Sequence, residues 1–263
     1  GLTMLVSAAL CTPRNRGRLH RWLGSLGASG TQEQEAAALA SLISGRSGGV
    51  AQALSTAKEM FRVLPLSSLA AADLVSNADT GLNARVTHAA LGECDAFVSH
   101  SWRDDGDLKY AKLLEHKFAS AAPTIWLDKA CIDQGNIQQS LACLPVFLAG
   151  CQTLLVVAGP TYCSRLWCVM ELFTFARMGG DQERVEVHLI VHPDDDQTEA
   201  RRLLTEQFAT FDAGKARCFL ASDREHLLAV IEAGFGDFYD FNRVARNLLA
   251  SRLHENTPFA LKN

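Results

Sequence analysis

Acidic residues are absent from the whole stretch between Asp133 and Asp181 except at Glu171, whose neighbours are Val169, Met170, Leu172 and Phe173. A carboxylate in apolar company is costly to bury without a partner, and burial raises its pKa. Glu171 therefore either looks outward from a half-buried helix or has a task, such as holding a ligand hydroxyl or steadying a positive charge. Other absences exclude whole classes of function. No run approaches the roughly 18 consecutive apolar residues that a membrane-spanning helix needs. Basic residues are not in excess, the formal charge being −4, so nothing points to nonspecific nucleic-acid binding. Among eight cysteines there is no Cys-x-x-Cys pair, and no His stands at zinc-ligand spacing beside them. Most of those thiols sit in apolar runs, where they act as small hydrophobes. A chain of 263 residues has little use for a dense disulfide framework, and the expectation is a reduced, cytoplasmic protein with free thiols and no bound metal. The turn Gly159-Pro160-Thr161 lacks a phosphate-binding glycine fingerprint. Asp194-Asp195-Asp196 lacks the alternating ligands and central Gly of a calcium loop.

What is present divides near residue 92. With 48% hydrophobic residues the chain can bury one large domain, or one domain and an extension. Residues 1–57 hold only two acids, Glu33 and Glu35, and are rich in Ala, Ser, Gly and Leu. Arg14, Arg16, Arg18 and Arg21 form a short basic run around His20, a solvated connector or an interaction patch. The apolar opening at 2–10 has no basic residues ahead of it, and the chain starts on Gly1, as an excerpt of a longer protein would. Helices are expected over 32–44 and 50–64, separated by the Gly-Arg-Ser-Gly-Gly break at 45–49. The expected organisation is a helical extension over 1–92, a domain over 93–253 and a tail over 254–263.

From Cys94 the pattern becomes regular. Ala96-Phe97-Val98-Ser99 and Thr124-Ile125-Trp126-Leu127 read as buried strands, and the continuously apolar 153–158 as a central one. Runs over 185–191 and 217–221 supply a fourth and a fifth. Between them lie helices: one capped by Asp107 with Leu108, Ala111, Leu114 and Phe118 inward, one with Ile137, Leu141, Leu144 and Leu148, and one opened by Ser164 that carries Glu171. Ser222 and Glu225 have capping-box spacing ahead of Leu227, Leu228 and Ile231, and a last helix follows Asp237 with Phe241, Val244 and Leu248 inward. Five strands alternating with helices predict an α/β fold, an open five-stranded parallel sheet with helices on both faces. Ligands of such sheets lie outside the carboxyl ends of the strands, here at the loops 99–107, 128–136 and 159–164.

In this order the pieces over 94–235 resemble a TIR (Toll/interleukin-1 receptor) domain. The family's first box is similar to Phe97-Val98-Ser99-His100, and its second box to the stretch from Leu127-Asp128-Lys129 to Gly135-Asn136-Ile137. Its helix motif is matched by Ser164, Arg165, Trp167, Cys168, Glu171 and Leu172, directly after a buried strand. His100 and Ser101 depart from the usual Tyr and its neighbour, and the second-box loop lacks the common Pro. The resemblance implies a flavodoxin-like fold and one of two functions. In the enzymatic branch the family hydrolyses NAD at the nicotinamide–ribose bond, and its catalytic Glu maps to Glu171. NAD is then the substrate, no separate cofactor is implied, and activity is switched on by self-association with other TIR domains as a homo-oligomer. The chemistry parallels glycoside hydrolysis, in which a carboxylate stabilises an oxocarbenium-like sugar; nicotinamide, already cationic, leaves without a general acid.

In that reading Trp102 stacks on nicotinamide or adenine, Arg103 pairs with the pyrophosphate, and Ser99 and His100 line the pocket floor. Trp167 lies one turn before Glu171 on the same helical face and shapes the pocket, while Cys168 is core. Trp102 has packing or partner contact as its alternative. In the other branch the domain is a noncatalytic signalling adaptor whose loop residues Asp128, Lys129, Asp133 and Asn136 make homotypic contacts. A nucleoside deoxyribosyl transferase, which also sets a Glu on ribose, is a third reading.

Overall fold

The computed structural model describes residues 36–37, 49–76, 78–133, 137–177, 182–218, 220–235 and 237–255. The Arg14–Arg21 basic run and nearly all of the helix expected over 32–44 lie outside them, as does most of the 254–263 tail. Where one helix is expected over 50–64, α1 (Gly49–Met60) stops before a strand, β1 (Arg62–Pro65). Pro65 disfavours helical backbone at Leu64 and in a continued helix would clash with the Phe61 carbonyl. The extended chain instead buries Phe61, Val63 and Leu64. A short helix α2 (Ala71–Val75) and strand β2 (Thr87–His88) follow.

The regular part then runs β3 (Cys94–His100), α3 (Gly106–Glu115), β4 (Thr124–Trp126), α4 (Asp128–Cys131), α5 (Ile137–Ala149) and β5 (Cys151–Ala158). After it come α6 (Leu166–Arg177), β6 (Val185–Leu189), α7 (Gln197–Ala209), α8 (Ala221–Phe235) and α9 (Phe238–Glu255). The strands form one sheet in the order β2-β1-β4-β3-β5-β6. Strands β4, β3, β5 and β6 are parallel, whereas β1 runs antiparallel to both β2 and β4. The expected five-stranded parallel sheet is thus corrected to six strands, mostly parallel, with two supplied by the segment before residue 92.

The strand expected over 217–221 does not form. Asp212 turns the preceding chain by accepting the Gly214 amide at 3.0 Å, and the Arg224 guanidinium holds the Ala216 carbonyl at 2.9 Å. Only Arg217 stays extended, pairing with the Arg165 turn rather than with the sheet, and Leu220 is 52% exposed. Arg217, Leu220 and Ala221 are all exposed, so these positions have little to gain from a sheet position.

All residues of 96–100 and 154–158 are buried, so both faces of β3 and β5 are covered. Phe97 stacks on Trp126 at 4.4 Å, and Trp126 meets Phe147 of α5 at 5.7 Å, tying the sheet to that helix. The face of α3 is rotated from the expected one: Lys109 and Leu113 are buried and Leu114 is 56% exposed. Its cap is Asp105, which accepts the Leu108 amide at 2.9 Å, and not Asp107. Gly106 is needed there, because a Cβ would meet the Leu74 carbonyl oxygen of α2 at 2.5 Å. Among the described residues the cysteines are free thiols and no helix is long and apolar enough to cross a membrane.

Candidate functional site

From β3 the chain crosses to β4 on one side, and β5 returns to pair on the other, so the order reverses between β3 and β5. The crevice at their carboxyl ends is where an open α/β sheet takes a ligand. Two rungs of side chains join the β3 end to the turn before α6. In the first, the Ser99 hydroxyl bridges Glu171 Oε2 at 2.7 Å and the Tyr162 hydroxyl at 2.9 Å, and Tyr162 donates to the Cys168 carbonyl at 3.1 Å. In the second, Ser101 and Thr161 hydroxyls are 2.7 Å apart. Helix α6 sets Glu171 at the end of this rung: Ser99 and Tyr162 are fully buried, and Glu171 itself is half-buried.

Burial pushes the Glu171 carboxyl up to about 8, with the negative Asp128 adding to the rise and the Ser99 hydrogen bond opposing it. At neutral pH the Glu171 carboxyl is therefore mostly protonated. Proton counting agrees. An ionised Glu171 takes the Ser99 proton, and the single Tyr162 proton must then serve both Ser99 and the Cys168 carbonyl. A neutral Glu171 donates to Ser99, Ser99 to Tyr162 and Tyr162 to the carbonyl, so each proton is used once.

Next to this chain stands a cluster around Trp102, which is half-buried. Its indole N–H donates to Asp128 Oδ2 at 2.7 Å, and His100 meets the ring edge-on at 4.5 Å. Lys109 and Lys129 ammonium groups lie over the indole at 5.3 and 5.7 Å. Both cations are also held by backbone: Lys109 donates to the Ser101 carbonyl at 3.0 Å, and Lys129 to the Asp73 and Ser76 carbonyls at 2.9 and 2.6 Å. The indole is thus a cation-π hub that fixes the loop, with less free face for a ligand than a rim aromatic would have. His100 is buried, its pKa is lowered to about 4 by that burial, and among the described residues its Nε2 has no hydrogen-bond partner. Cys168 donates its S–H to the His100 carbonyl at 3.2 Å, and burial raises its pKa, which suits a core thiol and not a nucleophile.

Arg103 is turned elsewhere. It lines a cavity of about 460 Å³ with Asp104, Thr161, His192, Asp195 and Leu204, on the side of α7. Glu171 is not among that cavity's walls. Asp104, Asp105 and Asp195 face Arg103 and His192 there, so the lining is not suited to a pyrophosphate. Trp167 is half-buried and packs against the core. Of the loop residues, Asp128 and Lys129 are spent on internal bonds, the exposed Asp133 donates its amide to the Ser140 hydroxyl at 3.3 Å, and Asn136 lies outside the described residues. The structure therefore brings together Ser99, His100, Trp102, Asp128 and Glu171, and leaves Arg103 apart.

Sequence reasoning missed Tyr162, Lys109 and Asp104. Buried Asp104 accepts the Gly159 amide at 3.0 Å and the Thr161 amide and hydroxyl at 2.8 Å each, locking the β3 loop to the β5 turn. Gly159 admits it, since a Cβ would lie 2.5 Å from the Asp104 carboxyl carbon. A usable signal was the Gly-Pro-Thr-Tyr sequence directly after an apolar strand. No family model, curated protein or solved structure matches the chain.

Proposed function

We propose that this chain is a TIR-like, flavodoxin-type domain that hydrolyses the nicotinamide–ribose bond of NAD, with Glu171 as the catalytic carboxylate. The observation that carries the reading is the half-buried Glu171 bonded to Ser99 at the crevice where the strand order reverses. The parallel strands β4-β3-β5-β6 follow the 2-1-3-4 order of flavodoxin-like sheets, which supports the fold half of the proposal.

The chemistry asks for an anion beside C1 of the ribose as positive charge spreads onto the ring. Ser99 orients one Glu171 oxygen and leaves the other for the sugar. Asp128, next to Trp102, adds a second negative charge to the same region, which suits the cationic nicotinamide half of the substrate. Water then completes the reaction at C1, releasing nicotinamide and ADP-ribose. Self-association, as in the family the chain resembles, would supply the switch.

Purified protein incubated with NAD, with and without forced clustering, is expected to release nicotinamide, and Glu171→Gln is expected to lose that release. Equal release from both proteins removes Glu171 from the mechanism. No release even when clustered leaves the signalling adaptor as the function.

A further inference from the structure

On the sheet edge formed by β6, away from the Glu171 crevice, Glu186 and His188 alternate along the strand and so project from one face. Their register partners on β5 are Leu155 and Val157. His116, the residue that ends α3, is brought onto the same spot by the return of that helix along the sheet. Its Nδ1 lies 3.6 Å from Glu186 Oε2, and His188 Nε2 lies 3.7 Å from the same oxygen. The three donor atoms are all within 4.8 Å of one another. We propose that His116, Glu186 and His188 bind one divalent transition-metal ion of the zinc class, with water at the open position.

Separations of 3.6 and 3.7 Å are too long for hydrogen bonds, so the cluster is not closed as an imidazole–carboxylate chain. Among the described residues His188 Nε2 is buried with no hydrogen-bond partner, and the His116 side chain is only 8% exposed. Two imidazoles and a carboxylate thus bring three donor atoms together without hydrogen-bonding one another. Metal bonds of about 2.0–2.1 Å in a tetrahedral arrangement set neighbouring ligand atoms roughly 3.3 Å apart, so only a small inward movement completes the site. The rings are already fixed for it: Phe118 packs edge-on against His116 at 4.4 Å, and the two imidazoles stand at 89° to each other. Glu186, 40% exposed, leaves the gap open to solvent. Imidazole and carboxylate together select zinc and its transition-metal neighbours over magnesium or calcium, which prefer all-oxygen shells. The sequence alone offers only the Glu-x-His alternation, since His116 comes from a distant helix end.

The test is titration of the chelator-stripped full chain with Zn²⁺ and Co²⁺ under a non-coordinating reductant. One equivalent is expected to bind, with a Co²⁺ spectrum free of thiolate charge transfer. Affinity is expected to fall more than about 100-fold in His116→Ala and in His188→Ala, beyond the loss from an outer-shell partner. His188→Gln, which keeps the side chain's bulk, replaces the alanine variant if that one does not fold by circular dichroism. Excess Mg²⁺ should not compete. Absence of binding, a thiolate band that assigns the metal to cysteines, or unchanged affinity in the histidine variants each overturns the proposal.

Discussion

Replacing Glu171 by Gln keeps the size and the Ser99 contact of the side chain and removes only its titration. In the native chain the carboxyl is held up to about 8 by burial and by Asp128, against an ordinary value of 4.5 once unfolded. Below pH 4.5 both states are protonated and the group contributes nothing to the pH dependence. Between the two values the unfolded chain releases the proton while the folded chain keeps it, so stability falls as pH rises, by about 1.4 kcal/mol per unit. Above the folded value the loss is complete. From pH 6 to pH 9 the native protein should therefore lose about 2–3 kcal/mol relative to Glu171→Gln, or roughly 5–10 °C in Tm for a chain of this size. Urea unfolding of the two proteins at several pH values measures the difference, provided both give the same m value. His100, pulled down to about 4, acts in the opposite sense, its stabilisation being lost as pH falls from 6.5. That window is common to both proteins and cancels in the comparison. A difference between them that stays flat from pH 6 to pH 9 would refute the raised carboxyl and the proton chain built on it.

Three further outcomes follow from the same geometry. Nicotinamide release, read as kcat/KM, should climb with pH and level off near 8 as Glu171 ionises in the free protein; an acid optimum would contradict an anionic role. Tyr162→Phe removes the hydroxyl between Ser99 and the Cys168 carbonyl and should cost about 1–2 kcal/mol in denaturant unfolding. It should also move the rise in the rate profile to lower pH, because Ser99 is then left to donate to Glu171 alone. Asp104→Ala strands the Gly159 and Thr161 amides, leaves the Thr161 hydroxyl with Ser101 alone, and should lose about 3 kcal/mol. Asp104→Asn, which keeps an acceptor, should lose clearly less in the same unfolding assay.

The strands easiest to read in the sequence are those buried on both faces. The continuous apolar run 154–158 announces itself, because every position faces a covered side. Strand β1 was hidden inside a helical pattern, and only Pro65 marked where that pattern had to end. The two residues of β2 are both exposed and carry no apolar signal at all. The opposite error at 217–221 came from a run whose apolar Leu220 stays 52% exposed. On α3 a buried lysine reversed the apparent face, since a cation held by the Ser101 carbonyl and Trp102 does not look like core. For the site, Ser99 and Glu171 were legible because each sits in a local pattern. Tyr162, Asp104 and the partition of Arg103 from Glu171 were not, because they arise from pairings of β3 with the β5 turn across about 60 positions.

A site that rests as a neutral acid at pH 7 would be a weak stabiliser of a cationic sugar if nothing changed when substrate arrived. With NAD as the proposed substrate, binding itself brings the change. The nicotinamide ring of NAD is positively charged, and a cation close to Glu171 favours the ionised carboxyl and expels its proton. Asp128 would then work with Glu171, where without that cation it works against its ionisation. Binding of NAD should thus be coupled to proton release and tighten as pH rises toward 8. NADH is a control of nearly the same shape whose dihydronicotinamide ring is uncharged, so its affinity should show no such slope. The two affinities, measured by calorimetry from pH 6 to pH 8.5 in buffers of different ionisation enthalpy, separate charge recognition from shape. Equal slopes for both dinucleotides would mean that Glu171 does not meet the cationic ring, and a neutral nucleoside would become the better substrate class.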